Sequence, residues 1–559
     1  MSTPSTVIIV GGVAGGMSAA TRLRRLDNEL NIVVLERSGH VSYANCGLPY
    51  FVGGVIENEE DLLLQTPQSL HERFRLDVRV NHEVVDVNSH RRTVTVRHTL
   101  NDQTFELSYD HLVLSPGARA IVPPIPGIER ALVLRNVEDV ELMSARVALE
   151  PRSAVIIGGG IIGLEIAENL VRRGVLVTIV EASSQVMAPL DPEMAQLVAN
   201  ELESHGVQLR LGNSVSAIGP VSVDLSNGQV VAADLVVVAI GVRPETTLAQ
   251  RAGAKIGPRG GISVDDFHRT SVPNVYAVGD AVEKLDALDG AATLVPLANV
   301  ANREGRVVAD HIAGRAVRTV RSQGTAIVKI FDLSVAVTGW NEKRLDAAGR
   351  ASLCIHTHPW SHATYYPGSS SMSLKILVDP TTGEILGAQG VGTDGVDKRI
   401  DVIATAMRGG LDATQLADLE LAYAPPFGSA KDPVNMLGYI AENLLSGLER
   451  TLQWSHLDEA IDDGATVVDV RSAEEFALGA IPTSVNIPID SLRDRVNELC
   501  GRHVVTVCKV GLRGHSASML LNELGVDAVN LDGGFQTWCH SPAARREQDL
   551  RPLATTTVL

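Results

Sequence analysis

Two segments of this chain are written on one plan, and that repetition limits the folds open to it. STVIIVGGVAGGMSAATRLRRL, Ser5 to Leu26, runs from a buried-strand pattern through a glycine turn into a helix. NIVVLE follows and ends at Glu36. AVIIGGGIIGLEIAENLVRRG, Ala154 to Gly174, repeats the pattern, and VLVTIVE ends at Glu181. Unpaired N–H groups at such a helix start favour a pyrophosphate, and an acid about twenty residues on reaches ribose hydroxyls. The first turn uses Gly11, Gly12, Gly15 and Gly16, with Val13 at the middle glycine position. The second matches G-x-G-x-x-G in full through Gly158, Gly160 and Gly163. One such turn is a weak signal. Two, each with its acid, predict an α/β chain with two Rossmann-like dinucleotide-binding domains. Glu181 favours NADH by repelling a 2′-phosphate, while Arg172 and Arg173 keep NADPH open.

The chain has 559 residues, enough for two to four domains. Its net charge of −18 argues against a nucleic-acid surface. Five cysteines, none in CxxC spacing, make no disulfide framework and suit a reducing cytoplasm. No signal-peptide pattern and no uninterrupted apolar run of membrane-spanning length is present, so no integral membrane segment is expected.

The turns, LSPGA at Leu114 to Ala118, AIGVRP at Ala239 to Pro244 and TSVPNVYAVGDA at Thr270 to Ala281 together resemble the two-dinucleotide flavoproteins of the pyridine nucleotide–disulfide oxidoreductase family. The resemblance implies FAD on the first turn and NAD(P)H on the second. It places Asp280 on the flavin ribityl chain and Glu165 near the flavin–nicotinamide meeting point. Ser115, beside Gly117, stands where the family usually has threonine. The expected domains are FAD-binding at 1–118 and 242–322, NAD(P)H-binding at 119–241, an α+β dimerisation domain at 323–447, a further α/β domain at 448–545, and a tail at 546–559.

SYANCGLPY, Ser42 to Tyr50, carries a lone thiol, Cys46. CGLPY reads as a helix start, where a thiol's pKa is lowered. The family's familiar reductases carry a C-x4-C pair, but the second position here is Phe51. The segment resembles the single-cysteine branch, the coenzyme A-disulfide reductases. That likeness implies a mixed disulfide between Cys46 and CoA, with Arg22, Arg25, Ser42 and Asn45 toward the CoA. It implies a homodimer in which the partner brings two tyrosines, here Tyr365 and Tyr423, with Tyr366 the alternative to Tyr365. A phenol can protonate a leaving thiolate.

Cys508 opens CKVGLRGHSA after a strand and before a helix, a loop whose N–H groups suit an anion. Its C-x4-R spacing to Arg513 is tighter than the phosphatase C-x5-R loop and suits a persulfide sulfur. With VVDVRSAEEFALGAIPTSVNIP and LDGGFQTW, the segment resembles a rhodanese domain, whose loop cysteine carries a transferable sulfur. Asp469 and Arg471 match its structural DVR motif. Cys354, Cys500 and Cys539 read as structural. The spacing of His356, His358 and His362 could suggest a metal, but these residues alternate in a strand-like run, and no metal is expected.

The reading is an FAD- and NAD(P)H-dependent reductase of CoA persulfide, polysulfide or CoA disulfide at Cys46, with Cys508 handling sulfane sulfur. The alternatives are an NADH oxidase or peroxidase cycling through a Cys46 sulfenic acid, and a non-enzymatic sulfur-binding redox sensor.

Overall fold

The first repeat builds a parallel five-stranded sheet in the order Val275–Ala277, His111–Leu114, Thr6–Val10, Asn31–Leu35, Asp77–Arg79. Val7, Ile8 and Ile9 are fully buried, each contributing roughly 1.5–3 kcal/mol by leaving water. Burial on both faces explains why the strand is an unbroken apolar run. The helix Ala14–Leu26 follows directly and packs on the helix Ala298–Ile312. Gly305 lies at that crossing: a Cβ there would fall 2.2 Å from the Gly15 carbonyl oxygen. The second repeat gives a four-stranded parallel sheet, Gln208–Leu211, Leu176–Glu181, Ser153–Ile157, Leu235–Val238. Two crossover strands, Ala118–Ala120 and Val242–Pro244, pair antiparallel.

The computed structural model describes residues 4–544, and the tail expected at 546–559 lies outside the described residues. The chain divides into two compact units. Among the described residues, one comprises 4–184 and 205–324; the other comprises 185–204 and 325–544.

The second unit holds an antiparallel five-stranded sheet, Ala326–Ile330, Leu333–Gly339, Ile385–Gly392, Met372–Val378, Leu353–Thr357. The helices Val396–Gly409 and Pro433–Leu445 share its core. The helix Pro192–Ser204 also belongs here, although its sequence lies between strands of the second repeat. Asp191 just before it accepts from the Gln389 side chain at 2.6 Å.

A parallel sheet, Thr451–Leu452, Asp527–Leu531, His503–Val507, Thr466–Asp469, Val485–Asn486, completes the unit. The fold is thus mixed α/β, with two dinucleotide-type sheets, an antiparallel α+β domain and a C-terminal α/β domain. Among the described residues, no helix is long and apolar enough to cross a membrane.

Candidate active site

The two glycine turns converge on the same local geometry. Gly12 N–H donates to Glu36 Oε2 at 2.9 Å and Ser38 N–H to Oε1 at 3.0 Å. Gly159 N–H donates to Glu181 Oε2 at 2.7 Å and Ser183 N–H to Oε1 at 2.8 Å. Each acid is therefore fastened to its own turn. Gly11 has φ +99°, and a Cβ on it would lie 2.1 Å from the Ser115 carbonyl oxygen. A Cβ on Gly16 would lie 2.0 Å from the Gly11 carbonyl oxygen, and one on Gly163 2.2 Å from that of Gly158. At Gly160, by contrast, a Cβ would meet open space. Two glycines of each turn close the strand–helix joint, while Gly160 leaves room for a phosphate to approach backbone. These cradles fit dinucleotides.

Asp280 sits in the short turn Gly279–Ala281 and pairs with Arg135 at 2.6 Å. Arg135 also donates to the Ala118 carbonyl at 3.1 Å, linking Asp280 to the turn at Ser115–Gly117. Gly279 N–H donates to Glu304 Oε2 at 2.7 Å, and Glu304 is buried against Lys284. Sequence reasoning missed Arg135, Lys284 and Glu304. Arg135 meets Asp280 145 residues away, and Glu304 meets Gly279 25 residues away and closes on Lys284, so no local pattern marks them.

Cys46 lies in a one-turn 3-10 helix, Asn45–Gly47, ahead of the five-residue helix Leu48–Val52. That helix packs on Ile161–Arg172, the helix of the second glycine turn. The contact is close because Gly53 has no side chain: a Cβ there would fall 2.0 Å from Asn169 Oδ1. The packing brings the Tyr50 hydroxyl to Glu165 Oε1 at 3.3 Å. Burial pushes the Glu165 carboxyl up to about 7, against the lowering effect of that hydrogen bond.

The expectation of a depressed Cys46 pKa is corrected. Within the protein's own field the thiol is raised, first by crowding of the sulfur, then by Glu165; Asp280 adds to this and Arg135 opposes it. The helix is too short to supply a strong dipole, and carboxylates dominate its neighbourhood. Cys46 is nevertheless exposed and free.

Of the residues expected toward CoA, Arg22, Arg25 and Ser42 have partners within the protein. Arg22 donates to Asp310 Oδ1 at 2.7 and 2.9 Å. Arg25 donates to the Thr21 carbonyl at 3.0 Å and the Thr21 hydroxyl at 3.2 Å. Ser42 holds φ +49° and donates its N–H to the Gly12 carbonyl at 2.8 Å. Asn45 Oδ1 is buried without a hydrogen-bond partner. Arg172 is occupied by Glu168 at 2.8 Å.

In the second unit, the Tyr365 and Tyr423 hydroxyls lie 3.1 Å apart, on side chains 74% and 49% exposed. Their mutual hydrogen bond is the main reason the Tyr365 phenol is raised. Tyr366 packs edge-on to His362.

Cys508 is fully buried at the end of the strand His503–Val507. Gly511 N–H donates to its sulfur at 3.2 Å, and Gly511 needs φ +97° to do so. Arg513 forms a two-pronged pair with Glu475 at 2.7 Å on each arm. Its guanidinium is raised first by Glu475, with Cys508 a lesser contributor. Asp469 and Arg471 form a buried fork with a shortest contact of 2.6 Å, and Arg471 also donates to the Gly479 carbonyl at 2.7 Å. They hold the neighbouring loop. Cys354, His356 and Asp532 also converge, each buried, with potential ligand atoms within 4.8 Å of one another. The imidazole there is already bonded at both nitrogens.

Residues 5–305 match the pyridine nucleotide-disulphide oxidoreductase family, 325–433 match that family's dimerisation domain, and 454–541 match the rhodanese-like domain. The chain belongs to the pyridine nucleotide-disulphide oxidoreductase family and is an oxidoreductase enzyme. Membership implies FAD and a nicotinamide nucleotide as cofactors. The chain is 36% identical to a coenzyme A disulfide reductase of Staphylococcus aureus over 441 residues, covering 78% of this chain and 99% of the relative. It superposes on the crystal structure of reduced Bacillus anthracis CoADR-RHD with a TM-score of 0.95 and 44% identity, covering 96% and 98% of the two chains. A NAD-dependent persulfide reductase from A. fulgidus gives a TM-score of 0.90 and 37% identity over 95% and 100%.

Proposed function

We propose that this enzyme uses NADH to reduce sulfur–sulfur bonds carried by coenzyme A or inorganic polysulfide, with Cys46 as its redox thiol and Cys508 as a carrier of sulfane sulfur. The observation that carries this reading is the unpaired, exposed Cys46 in a chain whose flavoprotein and rhodanese-like parts both match sulfur-handling relatives. A lone thiol must receive its sulfur partner from outside. CoA persulfide, polysulfide and CoA disulfide are the candidates.

In the proposed cycle, Cys46 thiolate attacks a substrate sulfur. The substrate S–S bond breaks, and the departing thiolate leaves with the electron pair. Tyr365 and Tyr423, bonded to each other and exposed, donate the proton that this thiolate takes up. They serve the Cys46 of the second subunit in a homodimer. Arg22, Arg25, Ser42 and Asn45 hold the CoA portion, and a phosphate reaching Arg22 competes with Asp310. The thiol-bound sulfur at Cys46 then needs two electrons to return the thiolate. Gly11, Gly12, Gly15, Gly16, Glu36, Ser115, Gly117 and Asp280 would hold FAD, and Gly158, Gly160, Gly163 and Glu181 would hold NADH; the bound pair would supply two electrons, entering as a hydride from the nicotinamide. Glu165 and Tyr50, hydrogen-bonded to each other, form a protonatable pair whose charge is felt at Cys46. Glu181, already anchored to its turn, disfavours a 2′-phosphate.

Free thiols throughout fit a reducing cytoplasm. The test is NADH oxidation with CoA persulfide, polysulfide and CoA disulfide in parallel, following released sulfide and CoA thiol. Release stoichiometric with NADH is expected. NADH consumption matched by oxygen or peroxide loss, with no thiol or sulfide formed, would replace this reading with the oxidase.

A further inference from the structure

The strand Leu353–Thr357 reaches the C-terminal α/β domain through His356, a residue the proposed chemistry does not use. Its backbone N–H donates to both oxygens of Asp532, at 3.2 and 3.1 Å. Its Nδ1 lies 2.6 Å from Asp532 Oδ2, and its Nε2 lies 2.9 Å from Glu193 Oε1. Two carboxylates facing both ring nitrogens require both to be donors, so the ring carries a proton on each.

Glu193 comes from the helix Pro192–Ser204. Lys375, opposite His356 in the adjacent strand, is fully buried and pairs with Glu193, with Asp191 at 2.8 Å and with Glu342 at 2.7 Å. Cys354 Sγ lies 3.6 Å from Nδ1, and burial pushes that thiol up to about 11, leaving it neutral. His358, two residues on, is held down at about 3 by burial and by the His356 charge, and its Nε2 meets Thr537 Oγ1 at 2.7 Å. Burial opposes the charge on His356, but the Asp532 carboxylate at Nδ1, with Glu193 at Nε2, outweighs it, and the ring's pKa stands well above the ordinary value.

Asp532 leads into Gly533 and Gly534, and these glycines form a thin wall. Both have φ +63°. A Cβ on Gly533 would fall 2.8 Å from His356 Cβ and 2.0 Å from Thr537 Oγ1. A Cβ on Gly534 would fall 2.4 Å from the Cys508 carbonyl oxygen and 2.8 Å from Gly511 N. Phe535 N–H donates to the Cys508 carbonyl at 2.8 Å, and Gln536 N–H to that of Lys509 at 2.9 Å. One side of the wall is gripped by His356; the other side supports the loop that aims Gly511 N–H at the Cys508 sulfur.

We infer that His356 is a positioning residue for sulfur transfer at Cys508, acting through Asp532 and the Gly533–Gly534 wall to set the loop. This rests on the reading of Cys508 as a sulfur carrier. That transfer runs in two balanced steps. Cys508 thiolate attacks the outer sulfur of thiosulfate, the S–S bond breaks, and sulfite leaves with the electron pair. Cyanide then takes the outer sulfur as thiocyanate and restores the thiolate.

The experiment uses the full-length FAD-loaded enzyme and measures thiocyanate formation from thiosulfate or inorganic polysulfide with cyanide. The parent is compared with His356→Gln, Asp532→Asn, the double variant and Cys508→Ser. His356→Gln and Asp532→Asn are each expected to slow transfer about tenfold or more, and the double variant no further. NADH-driven reduction of CoA disulfide is expected to stay near that of the parent, while the melting temperature falls, because each single variant leaves a buried charge without its partner. The ratio of parent to His356→Gln rates should hold from acid pH through the ordinary histidine range and shrink only at alkaline pH, where the ring loses its second proton. Equal transfer by parent and His356→Gln, a pH-independent ratio, or a joint fall of both activities with the melting temperature would each overturn the inference. Transfer by Cys508→Ser at the parent's rate would instead overturn the carrier reading beneath it.

Discussion

The two sulfur sites solve opposite problems. Cys46 is exposed, stands on a single 3-10 turn, and has carboxylates as its main electrostatic neighbours. Cys508 is fully buried at the mouth of a loop, with a backbone N–H on its sulfur and an arginine close by. An exposed thiol among carboxylates is one that a large substrate can reach and whose charge the protein alone does not favour. A buried sulfur met by donors is one whose extra negative sulfur can be held and shielded. The difference teaches that a shared element does not dictate a shared environment; what surrounds the thiol sets its task.

The sharpest way to break this contrast is to remove each sulfur. Cys46→Ser is expected to reduce NADH-driven turnover of every sulfur substrate to background while thiocyanate formation continues. Cys508→Ser is expected to do the reverse, sparing CoA-disulfide reduction. Arg513→Met should slow sulfur transfer by about a hundredfold, as loss of a donor to a developing anion does, with flavoprotein turnover unchanged. Tyr365→Phe and Tyr423→Phe should each lower sulfur-substrate turnover by about tenfold or more, and the pair should be non-additive because the two hydroxyls share one hydrogen bond.

A smaller effect probes the electrostatics of Cys46. Glu165→Gln removes a carboxylate that raises the thiol, so the pH midpoint of Cys46 alkylation should move downward. No shift, or an upward one, would contradict the assigned environment. The smallest effect concerns the Glu475–Arg513 pair, which is partly exposed. Arg513 holds the Glu475 carboxyl down at about 2. A depressed acid stabilises the fold above its ordinary pKa and loses that contribution as pH falls toward the depressed value. Glu475→Gln should therefore cost about 1 kcal/mol or less at neutral pH, shrinking in acid, as followed by denaturant melts.

The nucleotide cradles were legible because their information is local: glycines, an apolar strand and an acid lie within about thirty residues, and Gly12–Glu36 and Gly159–Glu181 close as that spacing implies. The loop at Cys508 was legible for the same reason. The charge state of Cys46 was not. It depends first on burial of the sulfur, then on Glu165, brought up by the packing of Leu48–Val52 on a helix more than a hundred residues away, and on Asp280 from the separate turn Gly279–Ala281. The grip of His356 on Asp532, 176 residues apart, was likewise invisible, since a histidine in a strand-like run looks the same whether it faces a metal, a carboxylate or solvent. The helix Pro192–Ser204 reads as part of the second nucleotide repeat, and only its Asp191 and Glu193 contacts show where it belongs.

The central claim is that external sulfur is captured on Cys46. The direct measurement is peptide mass mapping of the FAD-loaded enzyme after incubation with CoA disulfide, before and after NADH. The account predicts one CoA adduct on the peptide containing Cys46, none on that containing Cys508, and loss of the adduct with CoA release when NADH is added. An adduct on Cys508 alone, or undiminished turnover by Cys46→Ser, would contradict it.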